Sequence, residues 1–295
     1  MVKFIRDADG TQSQTIQLLE GNYIGLLLRV SGSGASAVSR PTGNVIMTLQ
    51  GKGAIITVPF DIMVDITNIL YGAPEDTEGT SFRFSALIPF TMPNLANALS
   101  ISPNEAELTL PSVDGASSAT WEVYGILSDN PERYIPRIHT RTLTLSGNLN
   151  EPIDIDNILA LFLSLGSGAT ATNTILIKTE EELKFQVDWD VMESITNIFS
   201  RVETTLTDKL FFDLNPNGIL STNLEDHIVL GASGGSGTLK VTVFSAEFDD
   251  VRAEASAIKI VSKAQHKVYK RFTRKSRVVP VAIRGELEQL RVRVD

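Results

Sequence analysis

Short runs of apolar and β-branched residues recur along most of the chain, and clusters of Gly, Ser, Asn, Asp or Thr separate most of them. Runs of this kind, bounded by turn-forming residues, predict β-strands. Seven or eight short strands in about 115 residues are typical of a β-sandwich or a jelly roll. The chain contains two such sets: Thr15–Leu19, Tyr23–Val30, Asn44–Gln50, Ala54–Phe60, Ser81–Ile88, Glu107–Leu110 and Thr120–Leu127, then Thr142–Leu145, Ile158–Leu165, Thr174–Lys178, Leu183–Val187, Leu210–Leu214, His227–Leu230 and Leu239–Phe248.

An internal repeat relates the two sets. Asn44–Leu70 aligns without a gap to Asn173–Phe199, and nine of the 27 positions are identical. The flanking strands and turns also correspond, and Phe82-Arg83-Phe84 aligns with Leu210-Phe211-Phe212. Because self-similarity over this length indicates a repeated structural unit, we interpret the chain as two copies of one domain.

Each copy is predicted to contain one helix at the matched place. Asp61 and Asp190 fit helix N-caps, and Glu193 follows Asp190 at the spacing of a capping box. We expect the repeated Thr67 and Asn68 to be solvated or interfacial. Apolar stripes at helical spacing are predicted to face the core; they are Ile62, Ile66, Ile69 and Leu70, then Val191, Ile195, Ile198 and Phe199.

The predicted fold class is all-β, with two tandem jelly-roll β-barrels, each with a short helix, and a C-terminal helix or arm. The expected divisions are an N-terminal arm at 1–13, a first jelly roll at 14–136, a second at 137–249 and a basic tail at 250–295. Small residues in Ser31–Ala37 and Gly231–Gly237 predict flexible loops.

The net charge of −9 is unevenly distributed. Residues 250–295 contain 12 Lys and Arg against 5 Asp and Glu, so the rest of the chain is strongly acidic. An acidic body with a basic tail predicts that the tail meets something anionic. The basic part of the tail interleaves Tyr269 and Phe272 with six cations, a pattern that suits either a lipid headgroup surface or nucleic acid; the cations are Lys267, Lys270, Arg271, Arg274, Lys275 and Arg277.

Composition removes several classes of chemistry. The chain has no cysteine and three widely separated histidines, which argues against disulfides, thiolate catalysis and a His- or Cys-based metal centre. No apolar run approaches the roughly 18 residues of a membrane-spanning helix. No nucleophile-elbow motif occurs, so no catalytic or cofactor-binding residue is predicted.

Two tandem jelly-roll-like domains, each with a helix after its fourth strand, resemble the double jelly-roll major capsid proteins of tailless, icosahedral, membrane-containing viruses of the corticovirus and tectivirus types. The paired segments Asn44–Leu70 and Asn173–Phe199 carry the resemblance, together with the strand-and-turn frames Ile24–Ala35 and Ile158–Ala169. It covers about Gln14 to Asp249. The basic tail departs from it.

The resemblance implies a structural protein of a bacteriophage virion, not an enzyme. Three copies would bring six similar domains around a three-fold axis, and these homotrimers would tile an icosahedral capsid as pseudo-hexagons over an internal membrane. The implied partners are neighbouring copies and capsomers, minor capsid or membrane proteins, and the viral lipid membrane or genome through the basic tail.

Other interpretations remain open at this point. A tandem β-sandwich carbohydrate-binding or adhesin module would need exposed aromatic platforms, but Trp121 and Trp189 lie in strand-like runs and are expected to be largely buried. A β-scaffold glycosidase would need paired carboxylates in a cleft, and a DNA clamp would need cations spread through both repeats.

Carboxylate clusters are the candidates for a metal. None has the spacing of an EF-hand loop, so no metal ligand is assigned, although loop carboxylates could hold a structural calcium ion between subunits. The clusters are Asp154 with Asp156, Glu180 with Glu181 and Glu182, Asp188 with Asp190, and Glu225 with Asp226.

Overall fold

The computed structural model describes residues 1–72, 76–90, 98–128, 134–153, 158–178, 183–200, 206–214 and 228–248. Contacts between residues separate one unit, Met1–Glu247, from a second, Phe248–Asp295. The elements of the first unit are described below. Apart from Phe248, the second unit lies outside the described residues, and so do the tail cations.

The first half of the chain forms ten strands and one helix. They are β1 Val2–Asp9, β2 Gln14–Gln17, β3 Gly21–Val38, β4 Asn44–Leu49, β5 Gly53–Pro59, α1 Phe60–Tyr71, β6 Asp76–Thr77, β7 Gly79–Pro89, β8 Leu99–Ile101, β9 Ala106–Leu110 and β10 Ala116–Leu127. One sheet has the order β1-β10-β3-β7-β6, with β8 also paired to β3. Strands β5-β4-β9-β2 form the opposing layer, which continues into the second half of the chain.

The second half forms eight strands and one helix within the described residues. They are β11 Tyr134–Ser146, β12 Leu149–Ile153, β13 Ile158–Leu165, β14 Thr174–Lys178, β15 Leu183–Asp188, α2 Trp189–Phe199, β16 Lys209–Asp213, β17 Ile228–Ser233 and β18 Ser236–Phe248. Their orders are β11-β18-β13-β16 and β12-β17-β14-β15. These repeat β1-β10-β3-β7 and β2-β9-β4-β5 strand by strand, so the chain is a double jelly roll and the predicted all-β fold class is confirmed.

The two jelly rolls share a continuous sheet. Strand β11 of the second pairs in parallel with β5 of the first, with Ile138 opposite Ile56 and His139 opposite Thr57. This junction lies in the middle of an eight-stranded sheet, β16-β13-β18-β11-β5-β4-β9-β2. The residues expected to form an N-terminal arm include β1, which pairs antiparallel with β10. The expected division between 136 and 137 falls inside β11.

The helix caps differ from the sequence prediction. Helix α1 begins at Phe60 after an N-cap at Pro59, and α2 begins at Trp189 after Asp188, so Asp61 and Asp190 lie inside the first turns. Neither helix has a side-chain cap, because each follows directly from a strand and a nearby loop supplies backbone acceptors. The Phe60 N–H donates to the Gly43 carbonyl at 3.0 Å, and the Trp189 N–H donates to the Asn173 carbonyl at 3.1 Å.

The two stretches of small residues were predicted to be loops, and this is wrong for most of their length. Ser31–Ala37 lies within β3, where Gly32 packs so closely on β10 that a Cβ atom would lie 1.9 Å from the Ser118 carbonyl oxygen. Close contact between the strands therefore requires glycine at position 32, where a flexible loop was expected. In the second stretch only Gly234 and Gly235, with φ of 74° and 80°, leave the strands. They turn the chain from β17 in one sheet to β18 in another.

Candidate assembly surfaces

The contact between the two jelly rolls, called the seam below, is built on α1. Successive side chains of a strand point to opposite faces. On β13, Leu161 and Leu163 therefore enter the core of the second jelly roll, whereas Ala160 and Phe162 join a buried cluster that includes α1 residues Ile62 and Ile69. Strand β13 is consequently buried on both faces, and α1 is buried on nearly all sides.

The side of the second jelly roll that covers α1 is called its outer face. It comprises Ala160, Phe162, Phe211 and Phe244, on β13, β16 and β18. Phe162 is paired across the strands with Phe211, and the rings of Phe211 and Phe244 meet edge to face with centroids 6.5 Å apart. Aromatic pairs of this geometry add to the stabilisation from burial. The seam is therefore an apolar contact of the kind found inside a domain.

Charged groups fix the seam near the middle of α1. The Asp65 carboxylate on α1 is 8% exposed, and its Oδ1 accepts a hydrogen bond from Arg40 Nη1 at 2.9 Å. Its Oδ2 is 2.8 Å from Lys209 Nζ, at the start of β16 in the second jelly roll. Arg40 also binds Asp76, with Nε 2.9 Å from Oδ1. A nearly buried carboxylate is thus neutralised by one cation from each jelly roll, as burial of a charge requires.

A second charged group lies beside the parallel junction of β5 and β11. Glu247 accepts hydrogen bonds from Arg137 Nη2 at 2.7 Å and from Lys52 Nζ at 3.0 Å. These hydrogen bonds lower the pKa of Glu247 below its usual value, and the bond from Arg137 has the larger effect. Next to Arg137, burial and then the charge of that guanidinium lower the pKa of His139. The folded chain therefore favours the ionised form of Glu247 beside this junction.

Equivalent positions in the two repeats can be assigned from matching hydrogen bonds. The Leu87 N–H donates to Thr67 Oγ1 at 2.8 Å, and the Phe211 N–H donates to Thr196 Oγ1 at 3.1 Å. Thr67 and Thr196 are the repeated threonines of α1 and α2. Leu87 is therefore equivalent to Phe211, which corrects the alignment of Phe82-Arg83-Phe84 with Leu210-Phe211-Phe212.

These bonds also explain why the repeated Thr-Asn pair recurs. Thr67 and Asn68 were expected to be solvated or interfacial; they are 3% and 5% exposed, so they are not solvated in the first repeat. In the second repeat the Leu206 N–H donates to Asn197 Oδ1 at 2.8 Å. Thr67 attaches α1 to β7, and Thr196 attaches α2 to β16. Asn197 attaches α2 to the segment that precedes β16.

The two helices differ sharply in burial. Val191 and Ile198 of α2 are 50% and 76% exposed. Their repeat equivalents on α1, Ile62 and Ile69, are 1% and 2% exposed because the second jelly roll covers them. The predicted core-facing stripe of α2 is therefore wrong at Val191 and Ile198. The two side chains form an exposed apolar face, called the α2 face below.

The first jelly roll has a matching row of exposed and half-buried residues on its sheet, called its outer face. Phe4, Tyr124, Leu27 and Leu87 are successive cross-strand partners on β1, β10, β3 and β7. Phe4 is 52% exposed, and its ring meets Tyr124 edge to face at 5.4 Å. The equivalent row in the second jelly roll contains Phe211, Phe162 and Thr242, and it is turned towards the seam.

The six tail cations predicted to face membrane or genome lie outside the described residues: Lys267, Lys270, Arg271, Arg274, Lys275 and Arg277. Most of the calcium candidates also lie outside them. Asp188 and Asp190 are exposed residues on either side of Trp189. Over the part of the chain that the structure describes, no three His, Asp or Glu side chains gather as a metal site, and no helix is long and apolar enough to cross a membrane.

Both tryptophans are buried, as predicted. Trp121 is fully buried, and its indole N–H donates to the Pro111 carbonyl at 3.1 Å. Trp189 is 3% exposed at the start of α2. Neither ring is available as the platform that a carbohydrate-binding module would use, which counts against that alternative.

Solved structures share this fold over most of the chain. The major capsid protein P2 from bacteriophage PM2 is 14% identical with a TM-score of 0.61, covering 83% of this chain and 97% of that one. The STIV MCP is 11% identical with a TM-score of 0.63, covering 84% and 96%. A chain of Sulfolobus turreted icosahedral virus is 13% identical with a TM-score of 0.61, covering 89% and 96%. No family model matches the sequence, and no curated protein matches it. The chain therefore has the double jelly-roll fold of these viral proteins.

Proposed function

We propose that this chain is the major capsid protein of an icosahedral virion, and that it forms homotrimers that tile the shell as pseudo-hexagons over an internal membrane. The observation that carries the proposal is the agreement of fold with capsid proteins over almost their whole length. The seam supports it, because one repeat already covers the helix of the other as neighbouring domains in a ring would. The role is structural, and the partners are other copies and minor capsid or membrane proteins.

Assembly state tests this proposal directly. The purified chain is expected to have a native mass near three times 32.1 kDa. Negative-stain images of native material should show pseudo-hexagonal trimers or closed shells. A monomer whose mass does not change with concentration, together with the absence of shells, would contradict the proposal.

We also propose that the six tail cations contact the anionic interior of the particle, either lipid headgroups or genome. The body of the chain is acidic and repels anionic surfaces, so such a contact needs a separate cationic segment. Near an anionic membrane each cation contributes about 1 kcal/mol, and salt screens the attraction.

Changing Lys267, Lys270, Arg271, Arg274, Lys275 and Arg277 to Gln should leave trimers intact and weaken binding to anionic liposomes or to nucleic acid at low salt. The matched control exchanges Lys for Arg and Arg for Lys at the same six positions and keeps the charge. Loss of liposome binding alone would assign the tail to lipid, and loss of nucleic-acid binding alone to the genome. Unchanged binding to both would contradict the proposal.

A further inference from the structure

We infer that the α2 face of one copy is covered by the outer face of the first jelly roll of a second copy. The inference rests on the proposed trimer and names the two surfaces that form it. Within one chain, the outer face of the second jelly roll covers α1. The two jelly rolls repeat the same strand order, so each has a helix and an outer face. Within the chain, α1 and the outer face of the second jelly roll cover each other, whereas the α2 face and the outer face of the first jelly roll have no such partner among the described residues.

The two uncovered surfaces correspond, position by position, to the two covered ones. Val191 and Ile198 are the equivalents of Ile62 and Ile69 in the ungapped repeat. On the sheet side, Leu87 is equivalent to Phe211 through the threonine hydrogen bonds, and the cross-strand pairs then make Leu27 equivalent to Phe162 and Tyr124 to Thr242. The named residues of the uncovered surfaces are apolar or aromatic, and the Arg29–Glu122 ion pair lies beside them on the same face of the sheet. We expect the two uncovered surfaces to meet with the geometry of the seam.

The strand edges agree with this arrangement. In the order of the described strands, β1 and β15 each end a sheet, whereas their equivalents β11 and β5 are paired with each other. The hydroxyls of Thr140 and Thr242 are hydrogen-bonded at 2.7 Å, which places Thr140 in the row position that Phe4 occupies beside Tyr124. Ile138 then corresponds to Val2.

On the partner strand, Ile56 corresponds to Phe185 in the ungapped repeat. The parallel pair of Ile138 with Ile56 therefore predicts that Val2 of one copy lies beside Phe185 of the next. An exposed strand edge readily accepts another strand, and Val2 is 62% exposed. Strand pairing between copies would thus continue the sheet across the contact, as β5 and β11 continue it within the chain.

A second copy can cover these surfaces because one chain leaves two different ones uncovered, and the contact between copies is then heterologous. One copy presents the α2 face, and the next presents the outer face of its first jelly roll. Such a contact closes into a ring when the rotation between copies divides a full turn. In a closed ring of three, every α2 face and every outer face is covered, and neither apolar surface remains exposed.

The first experiment introduces charge on the α2 face. The double variant V191D/I198D should sediment as a monomer where the parent is a trimer, with at least a tenfold rise in the dissociation constant, because both carboxylates would be buried without partners. Leu19→Asp is the matched control: Leu19 is 41% exposed, lies beyond the end of β2 outside both surfaces, and should leave the trimer intact. Circular dichroism checks that all variants are folded.

The second experiment does not depend on the aspartate variants folding. The chain has no cysteine, so the variant V2C/F185C has only the introduced thiols. Mild oxidation should give disulfide-linked species of two and three chains on a non-reducing gel, whereas V2C and F185C alone should not form the three-chain species.

The results separate this inference from the proposed function. Trimers of V191D/I198D with the parent's dissociation constant, or parent trimers in which V2C/F185C gives no cross-link, would overturn the inference and leave the capsid role standing. A parent chain that stays monomeric and forms no shell would overturn both.

Discussion

The hydroxyl of Thr67 links α1 to the sheet beside it. It donates to the Met63 carbonyl at 2.7 Å and accepts from the Leu87 N–H at 2.8 Å, in a position 3% exposed. Thr67→Val keeps the shape of the side chain but leaves the Leu87 N–H without its partner. We expect a loss of about 1–3 kcal/mol in the free energy of unfolding, measured by denaturant titration. Thr67→Ser keeps the hydroxyl and should lose less; an equal loss in both variants would show that packing, not the hydrogen bond, is responsible.

Asp65 is the charged residue on which the seam most depends. It is hydrogen-bonded to Arg40 and ion-paired with Lys209 from the other jelly roll. Asp65→Asn removes the negative charge between two cations, and we expect the free energy of unfolding to fall by about 1.5–3 kcal/mol, the usual contribution of a charged hydrogen bond. Asp76→Asn, which removes a carboxylate that binds Arg40 on the first jelly roll alone, is the control and should cost less.

At the residue scale, sequence reasoning predicts burial better than it predicts partners. Trp121 and Trp189 are buried as their positions in strand-like runs indicate. The sequence predicts caps at Asp61 and Asp190 and cannot show that backbone acceptors take their place. These acceptors, the Gly43 and Asn173 carbonyls, lie in preceding turns. Capping motifs describe side chains, whereas here the backbone satisfies the helix.

At the scale of elements, the junction of β5 and β11 gives a pH dependence. The pKa of Glu247 is lowered in the folded chain by its bonds to Arg137 and Lys52, so the folded state favours the carboxylate. Its contribution to stability is therefore complete above the ordinary glutamate pKa and is lost as the pH falls from there through the lowered value.

The measurement is the free energy of unfolding of the parent and of Glu247→Gln over a series of pH values. The parent should be more stable at neutral pH, and the difference should shrink in acid. Glu107→Gln, at an exposed position on β9 outside the seam, is the matched control. A difference between parent and Glu247→Gln that does not vary with pH would show that the interaction does not depend on ionisation.

Most elements could be predicted from the sequence, but the face that each element presents could not. Both helices and most of the strands follow from apolar runs and the repeat, whereas β1 lies in residues that were expected to form an arm. The sequence predicts that the stripe of α2 faces the core, because Val191 and Ile198 have the spacing of a buried helix face. A helix face that another chain covers has the same spacing. Periodicity shows which residues avoid water, and it does not show whether the protection comes from the same chain.

At the scale of the whole molecule, the two jelly rolls are expected to unfold together. One buried cluster contains residues of both, among them Ile62 of α1 and Phe162 of β13. Separating them would expose the outer face of the second jelly roll to water. A shared core of this kind predicts one cooperative transition instead of two.

The two tryptophans allow each jelly roll to be followed separately. Trp121 lies in the first core and Trp189 in the second. In Trp189→Phe the fluorescence reports the first jelly roll, and in Trp121→Phe it reports the second. Within each variant, the midpoint by fluorescence should coincide with that by circular dichroism. A separate fluorescence midpoint in either variant would contradict the prediction.

The seam has a geometric consequence for polymer shape. In a ring of three copies, the rotations within each chain and between neighbouring chains add up to a full turn, so an error in the internal rotation is repeated three times around the ring. Asp65, held by Arg40 and Lys209, fixes one end of that rotation, and the sheet pairing of β5 with β11 fixes the other. If the angle between the two jelly rolls changed, the chain would still present the α2 face and the outer face of its first jelly roll. Successive copies would then fail to close into a ring and would form an open helical filament. The rigidity of the seam within one polypeptide would then determine whether the copies form a closed ring or a filament.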